Sequence, residues 1–220
     1  MDKFYTDKQQ IINWLDKYGI SKYTLTPDEK YGFIVNVNGD VDLRNKDLFY
    51  IPVKFNEVKG EFDCSYNKLT CLEFSPQTVS GSFWCSKNKL TSLEFCPQTV
   101  KGSFVCGNNH LASLEFCPQT VGGYFDCDNN QLTSLEFCPQ TVVGNFWCNS
   151  NQLTSLEFCP QTVGENFYCR NNQKLKKIQE IIDFKLIYLE HKKILIAKFS
   201  DKLESDLINY NSKKTAKIKI

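Results

Sequence analysis

Histidine and methionine are the scarcest chemically versatile residues of this sequence, with two histidines and one methionine in 220 residues. A cysteine nucleophile needs a nearby base, and only His110 and His191 could supply an imidazole. The sequence also lacks a C-x-x-C pair and a glycine-rich phosphate loop. These absences predict a protein that is not an enzyme and that holds no cofactor.

Long apolar runs and an excess of one charge are missing as well. No segment approaches the roughly 20 apolar residues of a membrane-spanning helix, and the N-terminal residues lack the apolar stretch of a signal peptide. Twenty-six basic residues nearly balance 25 acidic ones, which argues against a strongly basic nucleic-acid-binding protein. We therefore expect no membrane partner.

What the sequence has in abundance is a 21-residue repeat. Six cysteines keep this spacing, and each has a phenylalanine two positions before it and an asparagine three positions after it. Leucines, a proline and a valine follow in the same register, so that the unit reads V-x-G-x-F-x-C-x-x-N-x-L-T-S-L-E-F-C-P-Q-T. Weaker copies begin at Val37, which gives about seven copies up to Asn172. The six cysteines are Cys64, Cys85, Cys106, Cys127, Cys148 and Cys169.

A strict repeat of this length predicts a solenoid. F-x-C alternates with the period of a β-strand, which directs Phe and Cys inward, and strands of successive coils would pair in parallel at about 4.8 Å. Each asparagine would be buried and bonded to the backbone of its own and the next coil, since an unpaired buried amide costs roughly 1–3 kcal/mol. The predicted fold is an α/β repeat solenoid of about seven coils with helical caps at both ends.

The motif F-x-C-x-x-N-x-L-T-S-L resembles the core of leucine-rich repeats, with Phe and Cys in two of the leucine places. The 21-residue length is similar to that of the shortest bacterial class of these repeats, and the near-identical copies resemble repeat proteins of tailed bacteriophages. The resemblance covers roughly residues 37–172. It implies a parallel-strand solenoid with a concave sheet, and it implies little about function.

The segments on either side of the repeats lack the 21-residue motif. Thr6 and Gln9 read as a capping box for an amphipathic helix that Gly19 ends. Beyond the repeats, apolar residues that include Ile182 and Leu186 have helical spacing. The predicted domains are an N-terminal cap of one helix and short strands at residues 1–36, the solenoid at 37–172, and a basic helical C-terminal cap at 173–220.

The cysteines allow two interpretations, a metal or disulfide site and a row of core thiols. Cysteines in one column would point the same way, so they would neither converge on one metal ion nor meet the dihedral angle of a disulfide. Free buried cysteine packs as a small apolar side chain, and we predict this role and no metal site. Eleven thiols without an N-glycosylation sequon indicate a reducing compartment, which predicts the cytoplasm of a bacterial host.

The charges are distributed unevenly along the chain. Residues 60–172 carry 5 basic and 10 acidic residues, a net charge of −5, whereas residues 173–220 carry 12 basic and 6 acidic residues, a net charge of +6. Such polarity fits head-to-tail contacts or a bipartite partner. A column of glutamates is either solvated and tolerated or a stripe for a cation or a basic partner. Its members are Glu73, Glu94, Glu115, Glu136 and Glu157.

Positions that vary between the copies indicate where a partner would bind. The residue between Phe and Cys points outward from the strand, and large aromatic side chains there are costly unless they serve an interface. The alternative is that they are scattered surface aromatics that pack on the flanking helices. The predicted partner-binding residues are Asp63, Trp84, Val105, Asp126, Trp147 and Tyr168 in this row, with Tyr124 and Tyr66 beside it.

Three classes of function fit these observations. The first is a non-enzymatic protein-binding scaffold, for which the phage resemblance implies a mobile-element protein that binds and inhibits a host defence protein. The second is a nucleic-acid-binding or nucleic-acid-mimicking module, which stacking aromatics favour and an acidic solenoid disfavours. The third is a self-assembling structural protein, because stacked sheet edges can polymerise, although the predicted caps argue against it. We expect the first class, with a protein partner.

Overall fold

The repeats form a solenoid in which every coil contributes one short strand to each of two sheets. This computed structural model describes residues 4–175 and the strand Leu186–Ile187. Equivalent strands of neighbouring repeats pair in parallel at a spacing of 21 residues. The predicted parallel-strand solenoid is therefore confirmed, with seven such strands enclosing six full coils between Val41 and Phe167.

The F-x-C sheet is named after the motif that builds most of its strands. Phe83 and Cys85 are fully buried, whereas Trp84 between them is half-buried, as the alternation of a strand requires. The Phe83 N–H donates to the carbonyl of Ser103 in the next coil at 2.8 Å. Its strands are β3 (Val41–Asp42), β5 (Phe62–Asp63), β7 (Phe83–Trp84), β9 (Phe104–Val105), β11 (Phe125–Asp126), β13 (Phe146–Trp147), β15 (Asn166–Tyr168) and β16 (Leu186–Ile187).

The second sheet, which we call the T-V sheet, was not predicted from the sequence. Most of its strands are a single Thr-Val pair in which the valine is buried and the threonine faces outward. Its strands are β1 (Tyr23–Asp28), β2 (Gly32–Val37), β4 (Phe55–Val58), β6 (Thr78–Val79), β8 (Thr99–Val100), β10 (Thr120–Val121), β12 (Thr141–Val142) and β14 (Thr162–Val163). The described coils consist of strands and turns, so the helical part of the predicted α/β fold lies outside the coils.

Between the two sheets lies a core of stacked columns. The repeat phenylalanines stack ring on ring, from 5.7 Å between the centroids of Phe62 and Phe83 to 5.1 Å between those of Phe146 and Phe167. Each fully buried phenylalanine contributes roughly 1.5–3 kcal/mol of hydrophobic stabilisation. Ten of the eleven cysteines are buried as well, and the cysteines are not joined by disulfides. The prediction that the repeat thiols pack in the core is confirmed.

The buried asparagines join successive coils. The Asn109 Nδ2 donates to the carbonyl of Cys106 in its own coil and to that of Cys85 in the preceding coil, both at 3.0 Å. Its Oδ1 accepts the N–H of Leu90 at 3.1 Å. The expected bonding of the asparagine to backbone groups is confirmed. The second coil that it bonds is the preceding one rather than the next one, because the turn that carries the asparagine lies against the backbone of the coil before it.

The N-terminal helix α1 (Lys8–Lys17) differs from the sequence prediction in its first turn. Asp7, not Thr6, is the N-cap residue, and its Oδ1 accepts the N–H of Gln10 at 3.0 Å. The expected capping box of Thr6 with Gln9 is therefore wrong by one residue, and the aspartate supplies the oxygen at the position where the helix begins. Helix α1 buries Leu15 completely against the core.

At the other end, β16 pairs antiparallel with β15, with Leu186 opposite Phe167. The helical prediction is wrong at Leu186 and Ile187, because the outer edge of β15 offers unpaired backbone groups that a strand can satisfy. The remainder of the predicted C-terminal helical cap beyond Leu175 lies outside the described residues. Among the described residues, no helix has both the length and the apolar character needed to cross a bilayer.

Candidate functional site

The F-x-C sheet brings the predicted outward-facing residues into one row. Parallel pairing sets each residue opposite its equivalent in the next coil, from Asp63 opposite Trp84 to Trp147 opposite Tyr168. Five of the six side chains in the row are half-buried. The six residues therefore lie in one row, because in-register pairing aligns identical repeat positions. Its members are Asp63, Trp84, Val105, Asp126, Trp147 and Tyr168.

Four large rings on this sheet form a continuous surface that we call the aromatic face, comprising Trp84, Tyr124, Trp147 and Tyr168. The ring centroids of Trp84 and Tyr124 lie 5.9 Å apart at 80°, and those of Tyr124 and Trp147 lie 4.8 Å apart at 72°. Trp147 stacks on Tyr168 at 6.0 Å and 16°. Edge-to-face contacts of this kind add about 0.5–1.5 kcal/mol per pair beyond simple burial.

Val105 lies beneath this surface rather than on it. Trp84 and Tyr124 come from coils two repeats apart, so their rings meet above the coil that carries Val105. Only 4% of Val105 is exposed. Val105 is therefore buried rather than outward-facing, because its short side chain leaves room that the two neighbouring rings cover, and its role in binding a partner stays a prediction.

Tyr66 is also separate from the aromatic face. It lies in the turn after Cys64 with a positive φ of 56° and is 49% exposed. The Lys87 Nζ donates to its hydroxyl oxygen at 2.9 Å and lies 4.3 Å from its ring centroid. Among the described contacts, Tyr66 therefore packs against Lys87, which holds the same turn position in the next coil. The turn directs the Tyr66 ring away from the sheet.

The two carboxylates of the row have different surroundings. The Asp63 Oδ2 lies 3.7 Å from the guanidinium of Arg44, and its Oδ1 accepts the N–H of Ser65 at 2.9 Å. The Asp126 Oδ1 accepts the N–H of Asp128 at 2.8 Å. Burial raises the pKa of Asp126 to about 6, and the nearby Asp128 carboxylate acts in the same direction, although the backbone hydrogen bond from Asp128 opposes them.

One polar atom within the aromatic face has no partner. The Nε1 of Trp84 is buried and makes no hydrogen bond in the described part of the chain, a state it shares there with the Ser75 Oγ alone. A buried donor without an acceptor costs roughly 1–3 kcal/mol, and native proteins rarely keep one. The aromatic face therefore holds one of the two unsatisfied buried polar atoms of the described residues.

The buried thiols of the core are unreactive at neutral pH. Burial raises the pKa of Cys96 to about 12 and that of Cys127 well above its ordinary value. The thiolate is the reactive form of cysteine, so at neutral pH these groups pack rather than react. No group of three or more potential metal ligands occurs among the described residues. The surface chemistry of the described coils is therefore that of aromatic rings, carboxylates and amides.

A second exposed surface was not predicted from the sequence. The phenylalanine of L-E-F-C-P looks like a core residue, because it lies two positions after a buried leucine. A positive φ at this phenylalanine turns its ring outward, which leaves 46–52% of four rings exposed. A glutamate directly before each ring is the one signal of exposure in the sequence. We call these four residues the phenylalanine ridge: Phe95, Phe116, Phe137 and Phe158.

Comparisons of the chain with protein-family models, with curated proteins and with solved structures found no match. The resemblance to leucine-rich repeat proteins stays a prediction that the repeat motif carries.

Proposed function

We propose that the protein is a non-enzymatic scaffold whose aromatic face binds a protein partner. The observation that carries this proposal is the unbroken contact of four large aromatic rings on the outside of a sheet whose core is already filled. Trp and Tyr dominate the energetics of protein interfaces. A continuous surface of such rings is more than the isolated apolar side chains that ordinary surfaces carry.

The carboxylates supply specificity to this interface. Asp63 and Asp126 occupy the same row as the aromatic side chains, so a partner that covers the rings also meets both carboxylates. Basic groups of the partner would pair with Asp126, which lacks a cation among its described contacts.

The finer proposal concerns the biological setting. We place the protein in the cytoplasm of a bacterial host, where it would sequester or block a host defence protein on behalf of a phage or another mobile element. The near-identical repeats that resemble phage proteins support this setting. Eleven free thiols also suit a reducing compartment.

An affinity capture from lysate of the native host, followed by calorimetry with the purified partner, tests the proposal. We expect the wild type to enrich one protein and to bind it stoichiometrically. The double variant Trp84→Ala/Trp147→Ala should weaken that affinity roughly 100-fold or more, because it removes two central anchors. Tyr66→Asn is the matched control, since it removes an exposed aromatic side chain outside the aromatic face.

Enrichment that survives the double variant contradicts the proposed site. Turnover of a substrate by the purified protein without its partner contradicts the non-enzymatic role. Binding of single-stranded RNA at low salt, with a steep loss of affinity as salt rises, would instead favour the nucleic-acid class. A mass that grows with protein concentration would favour self-assembly.

A further inference from the structure

The phenylalanine ridge is an exposed apolar surface that the proposed function leaves unused. Its rings are 52%, 46%, 47% and 46% exposed along the ridge, and all four backbones have φ between 64° and 72°. A bulky residue in this left-handed region is energetically costly. The repeat therefore keeps a strained, solvent-facing phenylalanine in four successive coils at Phe95, Phe116, Phe137 and Phe158.

An exposed glutamate immediately precedes each ring of the ridge. The N–H of Glu115 donates to the Ser113 Oγ at 3.0 Å, and the same turn recurs in the neighbouring coils, which holds the glutamate backbones in equivalent positions. The ion pairs among the described residues do not involve these carboxylates. The surface is thus a row of alternating apolar rings and unpaired negative charges. Its carboxylates are Glu94, Glu115, Glu136 and Glu157.

The chain itself shows what covers such a Glu-Phe pair. Phe74 is the equivalent residue one coil before the ridge, and it is only 4% exposed. The rings of Phe4 and Tyr31 lie on it, with centroids 5.1 and 5.6 Å away. The Lys30 Nζ lies 4.9 Å from the Tyr31 ring centroid.

The pKa of Lys30 also depends on Glu73, the glutamate of the covered pair. The hydrogen bond and charge interaction with Tyr31 do most to raise the pKa of Lys30, and Glu73 contributes in the same direction. The first Glu-Phe pair is therefore covered by two aromatic rings with a lysine beside them. This arrangement is an internal template for the four pairs that stay open.

We infer that the phenylalanine ridge is a docking surface for a basic amphipathic helix of another protein. Successive coils are about 4.8 Å apart, and successive turns of a helix are about 5.4 Å apart. A helix along the solenoid axis can therefore place one apolar side chain per turn on each ring, with lysines or arginines on both sides reaching the glutamates. A second copy of this chain fits less well, because its ridge would bring glutamates against glutamates.

The ridge is tested on the full chain with a labelled synthetic helix that has one leucine per turn flanked by lysines. Fluorescence anisotropy measures its affinity. Phe116→Asn/Phe137→Asn should weaken binding at least about tenfold, while Asn relieves the strain of the positive φ. Glu115→Gln/Glu136→Gln should weaken binding about threefold and reduce its salt dependence.

Matched controls distinguish binding at the ridge from non-specific binding and from binding at the aromatic face. Tyr66→Asn removes another exposed ring at a positive φ, and we expect unchanged affinity for the helix. Trp84→Ala/Trp147→Ala should also leave that affinity unchanged, so that a failure of the aromatic face and a failure of the ridge are distinguishable. A helix with glutamates in place of the lysines should not bind.

Several results would overturn the inference. They are the absence of binding at low salt, equal binding of the acidic helix, and undiminished affinity of the Phe116→Asn/Phe137→Asn variant. A fall in the melting temperature of that variant would show that another part of the chain already covers the ridge. A concentration-dependent mass that the variant loses would show that a second copy covers it. Loss of helix binding in Trp84→Ala/Trp147→Ala would likewise contradict a separate surface.

Discussion

Asp63 and Asp126 hold the same repeat position, yet their neighbours make them different groups. Arg44 lies 3.7 Å from the Asp63 carboxylate. Asp126 has no such cation among its described contacts, and burial raises its pKa to about 6. A raised carboxyl pKa in the folded state means that ionisation opposes folding. The ionised Asp126 carboxylate therefore lowers the free energy of unfolding at neutral pH, and it places a negative charge on the candidate site.

The pH dependence of Asp126 gives the first prediction. Well below pH 4, which is about the ordinary pKa of an aspartate, the carboxyl is protonated in both states, and as the pH rises from about 4 towards 6 the unfolded state loses its proton first, so stability falls. Asp126→Asn keeps an oxygen that can accept the Asp128 N–H. It should raise the free energy of unfolding by about 1–3 kcal/mol near pH 7.5 and change it little near pH 4.

Urea denaturation at both pH values measures this difference. Asp63→Asn is the matched control, because its carboxylate has the Arg44 guanidinium as a partner, and we expect no gain in stability at either pH. A gain for Asp126→Asn that is equal at both pH values would show that packing, not ionisation, is responsible. No gain near neutral pH would contradict the burial argument.

At this scale the sequence predicted roles better than contacts. It predicted the buried asparagines, because an amide that recurs in six coils needs a regular bonding partner. It did not predict that Tyr124 would bridge Trp84 and Trp147, since that contact depends on the small Val105 between them. It also missed the outward Phe95, because a positive φ is invisible in a pattern of apolar letters.

Coil corners are the elements that set how closely the repeats stack. Backbone hydrogen bonds join the repeat glycines of successive coils, as from the Gly102 N–H to the Gly81 carbonyl at 2.9 Å. A methyl group on Gly102 would lie 2.7 Å from the carbonyl carbon of Gly81. Where Glu165 replaces the glycine, the equivalent bond to Gly144 lengthens to 3.3 Å. Glycine here permits close approach of two backbones.

A substitution at this corner gives the second prediction of stability. Gly102→Ala should lower the free energy of unfolding by about 1–3 kcal/mol, because the added methyl group forces two coils apart. Gly39→Ala is the matched control at the first copy of the same position, where a methyl group would meet nothing within 4 Å. Denaturant unfolding of both variants measures the difference. Equal losses would contradict the steric argument.

The repeat strands of the F-x-C sheet followed from the sequence, whereas β16 and the Thr-Val strands of the T-V sheet did not. Phe83 and Cys85 alternate with Trp84, which is the signature of a strand with one buried face. A strand such as Thr99–Val100 is too short to show alternation, and only its valine is buried. Its existence follows from the stacking of whole coils, because parallel neighbours pair wherever their backbones run in register.

At the scale of the molecule, the described coils form a one-dimensional stack in which each repeat contacts its neighbours. Interior coils such as that of Cys127 have a partner on both sides, in Cys106 and Cys148. A terminal repeat has fewer neighbours, so it should open at a lower free energy than an interior repeat. The eleven free thiols, spread over the coils, report this opening residue by residue.

Alkylation of the native protein, followed by mass spectrometry of its peptides, gives the last prediction. Cys71 is the one cysteine that is not buried, so it should react first, and Cys71→Ser should remove that fast phase. Cys169, on the last described repeat, should react next, and Cys106 and Cys127 in the middle should react most slowly, because buried thiols react only when their coil opens. A single rate for all three would show that the stack opens as one cooperative unit. Graded rates would show that the coils open from the ends, which would make the central coils, where Tyr124 and the middle of the phenylalanine ridge lie, the most persistent part of the molecule.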